Sequence, residues 1–267
     1  MGLESDFNPT QRFSLRAEAY ARYRPSYPRA TLGVLERECG LTAASRIADI
    51  GSGTGLLARL FLDFGCEVTG VEPNIAMREA GERMLSSEPR FHSVEGRAEA
   101  TTLPERSVDF VTAGQAFHWF EPVAARAEFQ RILKPTGWVV LIWNERLVTP
   151  GFMGEHEALQ NQFAHEKPHP TEAEFSAFYG HADWRLARLP NQQFLNLEGL
   201  RGRIESSSWS PLPGADGYES MVEEITRLFR KYERAGRVTM EYETTLYYGR
   251  VALRLQGPNQ SRPLMQT

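Results

Sequence analysis

The fold is decided by the stretch Ile47-Ala48-Asp49-Ile50-Gly51-Ser52-Gly53-Thr54-Gly55. In it, an apolar run ends in a loop with glycine at every second position, and a helical apolar pattern follows at once. The glycines permit a tight turn and leave no Cβ between the backbone and a ligand. The start of the next helix offers unpaired N–H groups to a polar ligand. A second apolar run ends at Glu72, whose carboxylate can accept hydrogen bonds from both hydroxyls of a ribose. The pattern therefore predicts a βαβ unit that binds a nucleoside.

The spacing of the glycines indicates which nucleoside-containing ligand fits. Dinucleotide-binding loops have the spacing G-x-G-x-x-G and seat a pyrophosphate on the helix N-terminus. This loop has the spacing G-x-G-x-G and follows Asp49, whose carboxylate would repel a pyrophosphate but suits a ligand with an ammonium group. S-adenosylmethionine has a ribose, a cationic amino-acid tail and no phosphate. The loop resembles motif I of the class I S-adenosylmethionine-dependent methyltransferases, and the resemblance implies that cofactor.

Composition and charge limit the class of protein. The chain has 267 residues, of which 41% are hydrophobic, and 34 acidic against 30 basic residues give a net charge of −4. Without a basic run, there is no electrostatic case for nucleic acid. The cysteines Cys39 and Cys66 lack metal-type spacing and fit a reducing compartment. No membrane-length apolar run or secretory signal pattern is seen. We expect a cytoplasmic protein, monomer or homodimer, without nucleic-acid, membrane or metal partners.

The first half of the chain alternates strand and helix. Strands are predicted at about 46–50, 67–72, 91–94, 108–113 and 138–143, with helices at about 31–39, 55–65 and 122–133. Another helix is predicted after Pro73, with Asn74 as its cap and an inner side that carries Ile75, Met77 and Ala80. Residues 134–137 are predicted to break the chain before the fifth strand. This alternation implies a parallel sheet with helices on both faces.

The pattern changes after Asn144. Residues 151–180 read as helical and aromatic, 194–197 and 244–251 alternate like the last two sheet strands, and a helix is predicted near 217–235. The predicted fold is therefore α/β and Rossmann-like, a seven-stranded, mostly parallel sheet with a helical cap over its carboxyl edge. We divide the chain into an N-terminal lid segment, 1–30, and a main domain, 31–267. Cap insertions are predicted near 145–190 and 198–236.

Two further segments sharpen the resemblance. The entry segment Tyr20-Ala21-Arg22-Tyr23-Arg24-Pro25-Ser26-Tyr27-Pro28 and the segment Gln115-Ala116-Phe117-His118-Trp119 resemble those of small-molecule methyltransferases similar to trans-aconitate methyltransferase. The resemblance covers residues 15–145 well and the remainder loosely. It implies transfer of a methyl group from S-adenosylmethionine to a small organic acceptor by in-line displacement. Because the cofactor is already activated, such a protein mainly aligns the acceptor and excludes water.

The resemblance implies a set of cofactor-binding residues. They are Tyr23, Arg24, Asp49, Gly51, Ser52, Gly53, Gly55, Glu72, Pro73, Asn74, Met77, Ala98, Glu99, Gln115, Ala116 and Phe117. Asp49 has two open interpretations: it favours the cofactor ammonium, or it braces the loop by accepting backbone N–H bonds. Met77 has helical spacing that fits the core equally well. Arg24 either pairs with the cofactor carboxylate or forms a surface salt bridge of little energetic weight.

Four aromatic and imidazole side chains are predicted to line the acceptor pocket: Tyr20, Tyr27, His118 and Trp119. His118 is the candidate catalytic residue because its pKa near neutrality lets it take a proton from the acceptor. The alternative is that His118 packs beside Trp119 and orients the loop, and Trp119 itself is either a pocket wall or core. Residues 13–28 are polar and carry two prolines that stop regular structure, so we predict a mobile lid that becomes ordered over the cofactor.

Other groups of residues give weaker evidence of function. His165 and His169 flank Pro168, which breaks the spacing of a helical metal pair, and they are interpreted as solvated loop residues. The Asn144 region lacks the Asn-Pro-Pro-Tyr signature of nucleic-acid and protein-amide N-methyltransferases. Three hypotheses follow: a small-molecule methyltransferase, a regulatory protein that binds S-adenosylmethionine without catalysis, and a nicotinamide-dependent oxidoreductase with a variant loop. The glycine spacing with Asp49 favours the first over the third.

Overall fold

One seven-stranded sheet organises the protein. The computed structural model describes residues 16–162, 169–180, 184–207 and 210–251. The strands are β1 (Arg46–Ile50), β2 (Glu67–Val71), β3 (Phe91–Val94), β4 (Val108–Gly114), β5 (Leu133–Arg146), β6 (Arg185–Leu195) and β7 (Val238–Gly249). Their order in the sheet is β3-β2-β1-β4-β5-β7-β6. The pairs among the first five strands are parallel, and β7 runs antiparallel to both of its neighbours. The predicted seven-stranded, mostly parallel α/β sheet is confirmed.

Helices connect and cover the strands. In the described ranges they are α1 (Ala17–Tyr23), α2 (Ala30–Cys39), α3 (Leu56–Phe64), α4 (Ile75–Met84), α5 (Pro122–Ile132), α6 (Phe152–Asn161), α7 (Glu172–Tyr179), α8 (Leu197–Glu205) and α9 (Tyr218–Tyr232). One apolar cluster joins α5 and α7 to the sheet, and a second joins α2 and α3 to it. The two clusters contain different residues of the same strands. Helices therefore cover both faces of the sheet, as predicted.

The predicted βαβ unit around the glycine loop is confirmed. β1 is buried from Ile47 to Ile50, which is typical of a parallel strand with both faces covered. In the loop, the N–H groups of Gly51 and Ser52 donate to the Val71 carbonyl at 2.8 and 3.2 Å, so the loop is tied to the end of β2. Strand order reverses between β1 and β4, and sheets of this kind bind ligands at the carboxyl ends of the strands on either side of such a reversal.

The fifth strand begins earlier than predicted. β5 starts at Leu133, where residues 134–137 were expected to break the chain. The pairing with β4 shifts between Val108 opposite Leu133 and Phe110 opposite Trp138. Residues 134–137 therefore bulge out of the ladder, which is how an extended strand accommodates a Pro and a Gly.

The last two strands are longer than predicted. β6 begins at Arg185 rather than 194, and Leu197 belongs to α8. β7 begins at Val238 rather than 244. The pattern of β6 shows why: its residues alternate between exposed and half-buried, so few strong apolar residues mark it. Residues 147–184 therefore connect β5 to β6, and residues 196–237 connect β6 to β7.

Helices from both insertions form a cap, which we define as α6, α8 and α9. These helices share one apolar cluster with the ends of β6 and β7. On α9, buried positions recur at helical spacing, at Met221, Ile225, Leu228 and Phe229. Helix α7 differs, because Phe175 and Phe178 join the cluster under the sheet. It covers a sheet face and is not part of the cap.

The N-terminal segment contains a helix where none was predicted. Ala17–Tyr23 is helical, and Arg24 has the extended conformation (φ −71°, ψ 147°) that a residue before proline prefers. The prolines therefore end the helix instead of preventing it. Tyr20 packs beside Met77 and Ala80 of α4, so α1 buries an apolar side. Residues 1–15 of the predicted lid lie outside the described residues.

Candidate functional site

The glycine loop leaves no room for side chains. Gly51, Gly53 and Gly55 have φ of 66°, 55° and 82°, a region that favours glycine. A Cβ on Gly51 would lie 2.7 Å from the Cβ of Ala116, and a Cβ on Gly53 would lie 3.3 Å from the Cε of Met77. The loop backbone is therefore exposed to the space above the sheet without intervening side chains.

Glu72 faces this loop, as the sequence predicted. Its Oε2 accepts from the Gly53 N–H at 2.9 Å and its Oε1 accepts from the Asn74 N–H at 2.8 Å. Burial raises the pKa of Glu72, while the hydrogen bonds from Asn74 and Gly53 and the charge of Arg78 lower it. A carboxylate oxygen can accept hydrogen bonds from more than one donor. Glu72 can therefore brace the loop and still accept hydrogen bonds from a ligand diol.

Asp49 is buried at the end of β1, 1% exposed. Its Oδ1 accepts from the Thr112 hydroxyl at 3.1 Å, and its Oδ2 is buried with no hydrogen-bond partner of good geometry among the described residues. Burial raises the pKa of Asp49 to about 7; the Thr112 hydrogen bond lowers it and the nearby charge of Glu72 raises it. A backbone hydrogen bond from Ala58, near the start of α3, also lowers this pKa. The two interpretations of Asp49 stay predictions. An unpartnered buried oxygen is a place for a cationic donor.

The residues after Glu72 cap α4. The Asn74 side chain accepts from the N–H groups of Ala76 and Met77 at 3.0 and 3.1 Å, so the predicted cap is confirmed. Met77 is buried against the glycine loop, and Pro73 is exposed. Ile75 was expected on the inner side but is 61% exposed, because it is the first residue of the helix and faces away from α1.

Ala98 and Glu99 follow β3. Ala98 is buried in the core cluster. The Glu99 carboxylate accepts from the Glu121 N–H at 2.8 Å and lies 3.5 Å from Arg97 Nε. These contacts connect the loop after β3 to the start of α5. A role at the cofactor adenine stays a prediction for both residues.

The segment after β4 divides its side chains between core and surface. Gln115 has a φ of 58°, and its Nε2 donates to the Asn144 carbonyl at 3.3 Å. Phe117 packs against Phe175 and Phe178, with ring centroids 5.7 and 4.7 Å away. The Phe117 side chain is thus core, and its place among the cofactor-binding residues stays a prediction.

His118 and Trp119 lie in a short 3-10 helix, Phe117–Trp119. Their ring centroids are 4.9 Å apart, so His118 does pack beside Trp119. Trp119 is 40% exposed, which excludes a core position, and its role as a pocket wall stays a prediction. Catalysis by His118 stays a prediction.

The N-terminal aromatic residues have separate neighbours. Tyr27 is buried, and a Cβ on Gly114 would collide with its hydroxyl. Burial raises the pKa of Tyr27 far above its usual range, and the charges of Tyr20 and Asp49 add to this. The site therefore brings Tyr27 to the end of β4, where it shares its surroundings with Asp49.

Tyr23 and Arg24 contact the cap. The Tyr23 hydroxyl donates to Glu198 at 2.9 Å, and its ring lies where a Cβ on Gly202 would be. Arg24 donates to the Ser206 carbonyl at 3.1 Å. Cofactor contacts by these two side chains stay predictions, and their described contacts attach α1 to the cap.

Sequence reasoning missed the amides that hold residues 24–28. Asn144 and Asn191 both donate to the Ser26 carbonyl, at 3.3 and 2.8 Å, and Gln193 donates to the Tyr23 carbonyl at 2.9 Å. The sole signal was an Asn at the end of the apolar fifth strand. Asn191 and Gln193 lie in a strand whose start was not predicted.

Searches for other sites give two findings. Within the described residues, no group of three or more His, Cys, Asp or Glu side chains could hold a metal ion. No helix in the same ranges is both long and apolar enough to cross a bilayer. Of the two loop histidines, His165 lies outside the described residues, and His169 is 3.1 Å from Glu145 with its ring against Trp143.

The known proteins to which part of this chain is similar are methyltransferases. A family model described as a methyltransferase domain matches residues 48–141, from β1 through the buried part of β5. An uncharacterized methyltransferase of Mycobacterium tuberculosis is 36% identical over 143 residues, which are 54% of this chain and 56% of that protein. A protein of Saccharomyces cerevisiae named as a probable S-adenosylmethionine-dependent methyltransferase is 31% identical over 145 residues, 52% of this chain and 48% of that protein. Residues 48–141 thus match a methyltransferase domain, and about half of the chain is similar to S-adenosylmethionine-dependent methyltransferases.

The chain spans about half the length of the curated relatives it matches. A solved structure from Anaeromyxobacter dehalogenans, provisionally named a type II methyltransferase, has a TM-score of 0.65 and 21% identity, covering 86% of this chain and 98% of that chain. At this identity the likeness concerns the fold alone. It covers a larger share of the chain than residues 48–141, which the family model matches.

Proposed function

We propose that this methyltransferase binds S-adenosylmethionine and transfers its methyl group to a small organic acceptor. The observation that carries the proposal is the pair of buried carboxylates at the ends of β1 and β2. The Oδ2 of Asp49 has no hydrogen-bond partner of good geometry among the described residues, although Ala58 N–H lies near enough to lower the pKa of this carboxyl, and Glu72 faces the loop. A ligand with an ammonium group and a ribose diol complements both, whereas a dinucleotide would bring a pyrophosphate against two acids.

The chain's own residues would divide the binding. Asp49 would accept from the cofactor ammonium, Glu72 from the ribose diol, and the glycine-loop N–H groups would bond the amino-acid tail. Asn74 and Met77 lie next to the loop and would flank the ribose and adenine. When bound, the cofactor supplies an activated methyl group.

Transfer then depends on alignment of the acceptor and exclusion of water. His118 and Trp119 stand at the end of β4 and would form one wall of the acceptor pocket. His118 would accept the proton when the acceptor is a hydroxyl or an amine, and a carboxylate acceptor needs no base. Tyr27 and the residues around it would close the pocket from the N-terminal side.

The remaining features of the proposal rest on charge and composition. A net charge of −4 without a basic run favours a small-molecule acceptor over nucleic acid. Two free cysteines fit a reducing compartment, so we propose work in the cytoplasm as a monomer or homodimer. A relation to trans-aconitate methyltransferase in particular is part of the proposal and rests on the entry and Gln115–Trp119 segments.

The binding step is tested by calorimetry with S-adenosylhomocysteine and with NAD. We expect S-adenosylhomocysteine to bind and NAD not to bind. Glu72→Ala should weaken this binding, and Glu79→Ala, which replaces an exposed acid on α4, is its control. Tight NAD binding without a response to S-adenosylhomocysteine would refute the proposal.

The catalytic step needs a separate test. Cofactor with a labelled methyl group is incubated with the protein and a mixture of small metabolites, and labelled products are identified by mass spectrometry. Label transfer supports the enzyme. Cofactor binding without any transfer would favour the second candidate, a regulatory protein that binds the cofactor without catalysis.

A further inference from the structure

A buried arginine of the cap has no counter-ion. Arg203 on α8 is 4% exposed, and its described partners are neutral. Its Nε donates to the Tyr242 hydroxyl and its Nη1 to Ser207 Oγ, each at 3.2 Å. Within the described residues, no carboxylate pairs with it, whereas Arg201 on the same helix pairs with Glu205 at 2.8 Å. A buried charge without a compensating charge is costly, so this position calls for an explanation.

The unused donors of Arg203 have the geometry of an anion site. A guanidinium carries five N–H donors, and the two bonds above occupy one on Nε and one on Nη1. The remaining donors include a neighbouring pair on Nη1 and Nη2. Such a pair binds two oxygens of a carboxylate or phosphate at once.

His156 on α6 adds a second unsatisfied group. It is 3% exposed, and its Nδ1 is buried with no hydrogen-bond partner in the described ranges. Burial lowers the pKa of His156 to about 3, and the positive charges of Arg203 and Arg146 contribute. The imidazole is therefore neutral at physiological pH, which keeps it compatible with the adjacent guanidinium and leaves one N–H for a ligand oxygen.

The position of this pair relates it to the candidate cofactor site. Tyr242 and Thr244 are two residues apart on β7 and so face the same side. The Thr244 hydroxyl donates to Asn144 Oδ1 at 2.5 Å, and the Asn144 carbonyl accepts from Gln115. Polar side chains thus lie on one side of β7 from Tyr242, which contacts the cap, to Thr244, whose partner Asn144 contacts the residue after β4, where the acceptor pocket is proposed.

We propose that Arg203, with His156, binds an anionic group of the methyl acceptor, either a carboxylate or a phosphate. The inference rests on the proposed function, because it names the substrate class of the same site. The acceptor would supply the negative charge that the described partners of Arg203 lack. Arg203 would hold the anionic end in the cap while the reactive end reaches the methyl group.

The test uses the full chain saturated with S-adenosylhomocysteine. Succinate, methyl phosphate and the neutral succinamide are titrated and followed by ligand-observed NMR. We expect one of the anions to bind and succinamide not to bind, and the preferred anion identifies a carboxylate or a phosphate. Arg203→Gln should weaken that anion on the order of 30-fold or more, as expected when one partner of a buried charge pair is removed. Arg203→Lys, which keeps the charge but loses the fork, should lie between.

Controls separate this inference from the proposed function and from misfolding. Arg227→Gln removes an exposed arginine that pairs with Glu224 and should leave anion binding unchanged. Calorimetry with S-adenosylhomocysteine reports on each variant: full cofactor affinity in Arg203→Gln shows an intact fold, and absence of cofactor binding in the wild type would defeat the proposed function. With cofactor bound, no binding of either anion, or equal binding to the wild type and to both Arg203 variants, would overturn the inference alone.

Discussion

Replacing Asp49 by Asn tests the electrostatic logic of the cofactor site. The change keeps the shape of the side chain and its contact with the Thr112 hydroxyl, but it removes a charge that is 1% exposed. In the free protein, burial holds the pKa of Asp49 at about 7. A cofactor ammonium at Oδ2 stabilises the ionised form and lowers that pKa. Cofactor binding should therefore release a proton.

The magnitude follows from the pKa. At pH 6, about 90% of free molecules would hold a proton on Asp49, so binding should release about 0.9 proton per cofactor. Because the ionised fraction falls as the pH falls, cofactor affinity should drop about 50-fold from pH 7 to pH 5. The free protein should show the opposite sign: a raised carboxyl pKa makes its unfolding free energy decrease as the pH rises from about 4 to 7.

The assay is calorimetry with S-adenosylhomocysteine in two buffers of different ionisation enthalpy. Asp49→Asn should abolish proton release, flatten the pH dependence and weaken binding by about 1.5–3 kcal/mol, the range for a hydrogen bond to a charged group. Asp63→Asn, an exposed acid on α3, is the control. Glu72 and Tyr27 also face Asp49, so Glu72→Gln is measured in parallel. Equal proton release in the wild type and in Asp49→Asn would refute the argument.

Three further predictions concern other parts of the molecule. Glu72→Ala should weaken S-adenosylhomocysteine by about 1.5–3 kcal/mol in a folded protein, measured by calorimetry; an unchanged affinity would place the ribose elsewhere. Because amides on β5 and β6 hold the Ser26 carbonyl, hydrogen exchange should find residues 24–28 protected already without cofactor, and protection only with cofactor would restore a mobile lid. The Arg131 hydrogen bond lowers the pKa of Glu128 to about 2. Glu128 therefore stabilises the fold above pH 4.5 and loses this effect as the pH falls towards 2. Acid titrations of Glu128→Gln should not show this loss of stability.

Local signals in the sequence predicted the glycine loop, the position of Glu72 and the cap of α4. The glycine spacing, the acid at the end of β2 and the Asn74 cap each depend on a few neighbouring residues. Parallel strands buried on both faces are marked by apolar runs. For these reasons β1 to β4 and the position of Glu72 could be placed without a structure.

The contacts that join the N-terminal segment and the cap to β6 and β7 could not be predicted in the same way. The Asn191 side chain donates to a carbonyl 165 residues earlier, and Arg203 meets Tyr242 from another element. Contacts of this kind depend on the register of β6 and β7, which have weak apolar patterns. Helix α1 was missed because its apolar side is short and becomes evident only when α4 is beside it.

Asp49 and Arg203 together suggest how the free protein and the bound protein differ. One is a buried acid whose second oxygen has no partner of good geometry, and the other is a buried base whose described partners carry no negative charge. Each alone costs folding free energy, and their signs are opposite. A cationic cofactor tail and an anionic acceptor would neutralise them separately, so each ligand should stabilise the fold by an amount that grows with its concentration over its dissociation constant. On this argument, the fold leaves charge unsatisfied at the two places where its proposed ligands bring the opposite charge.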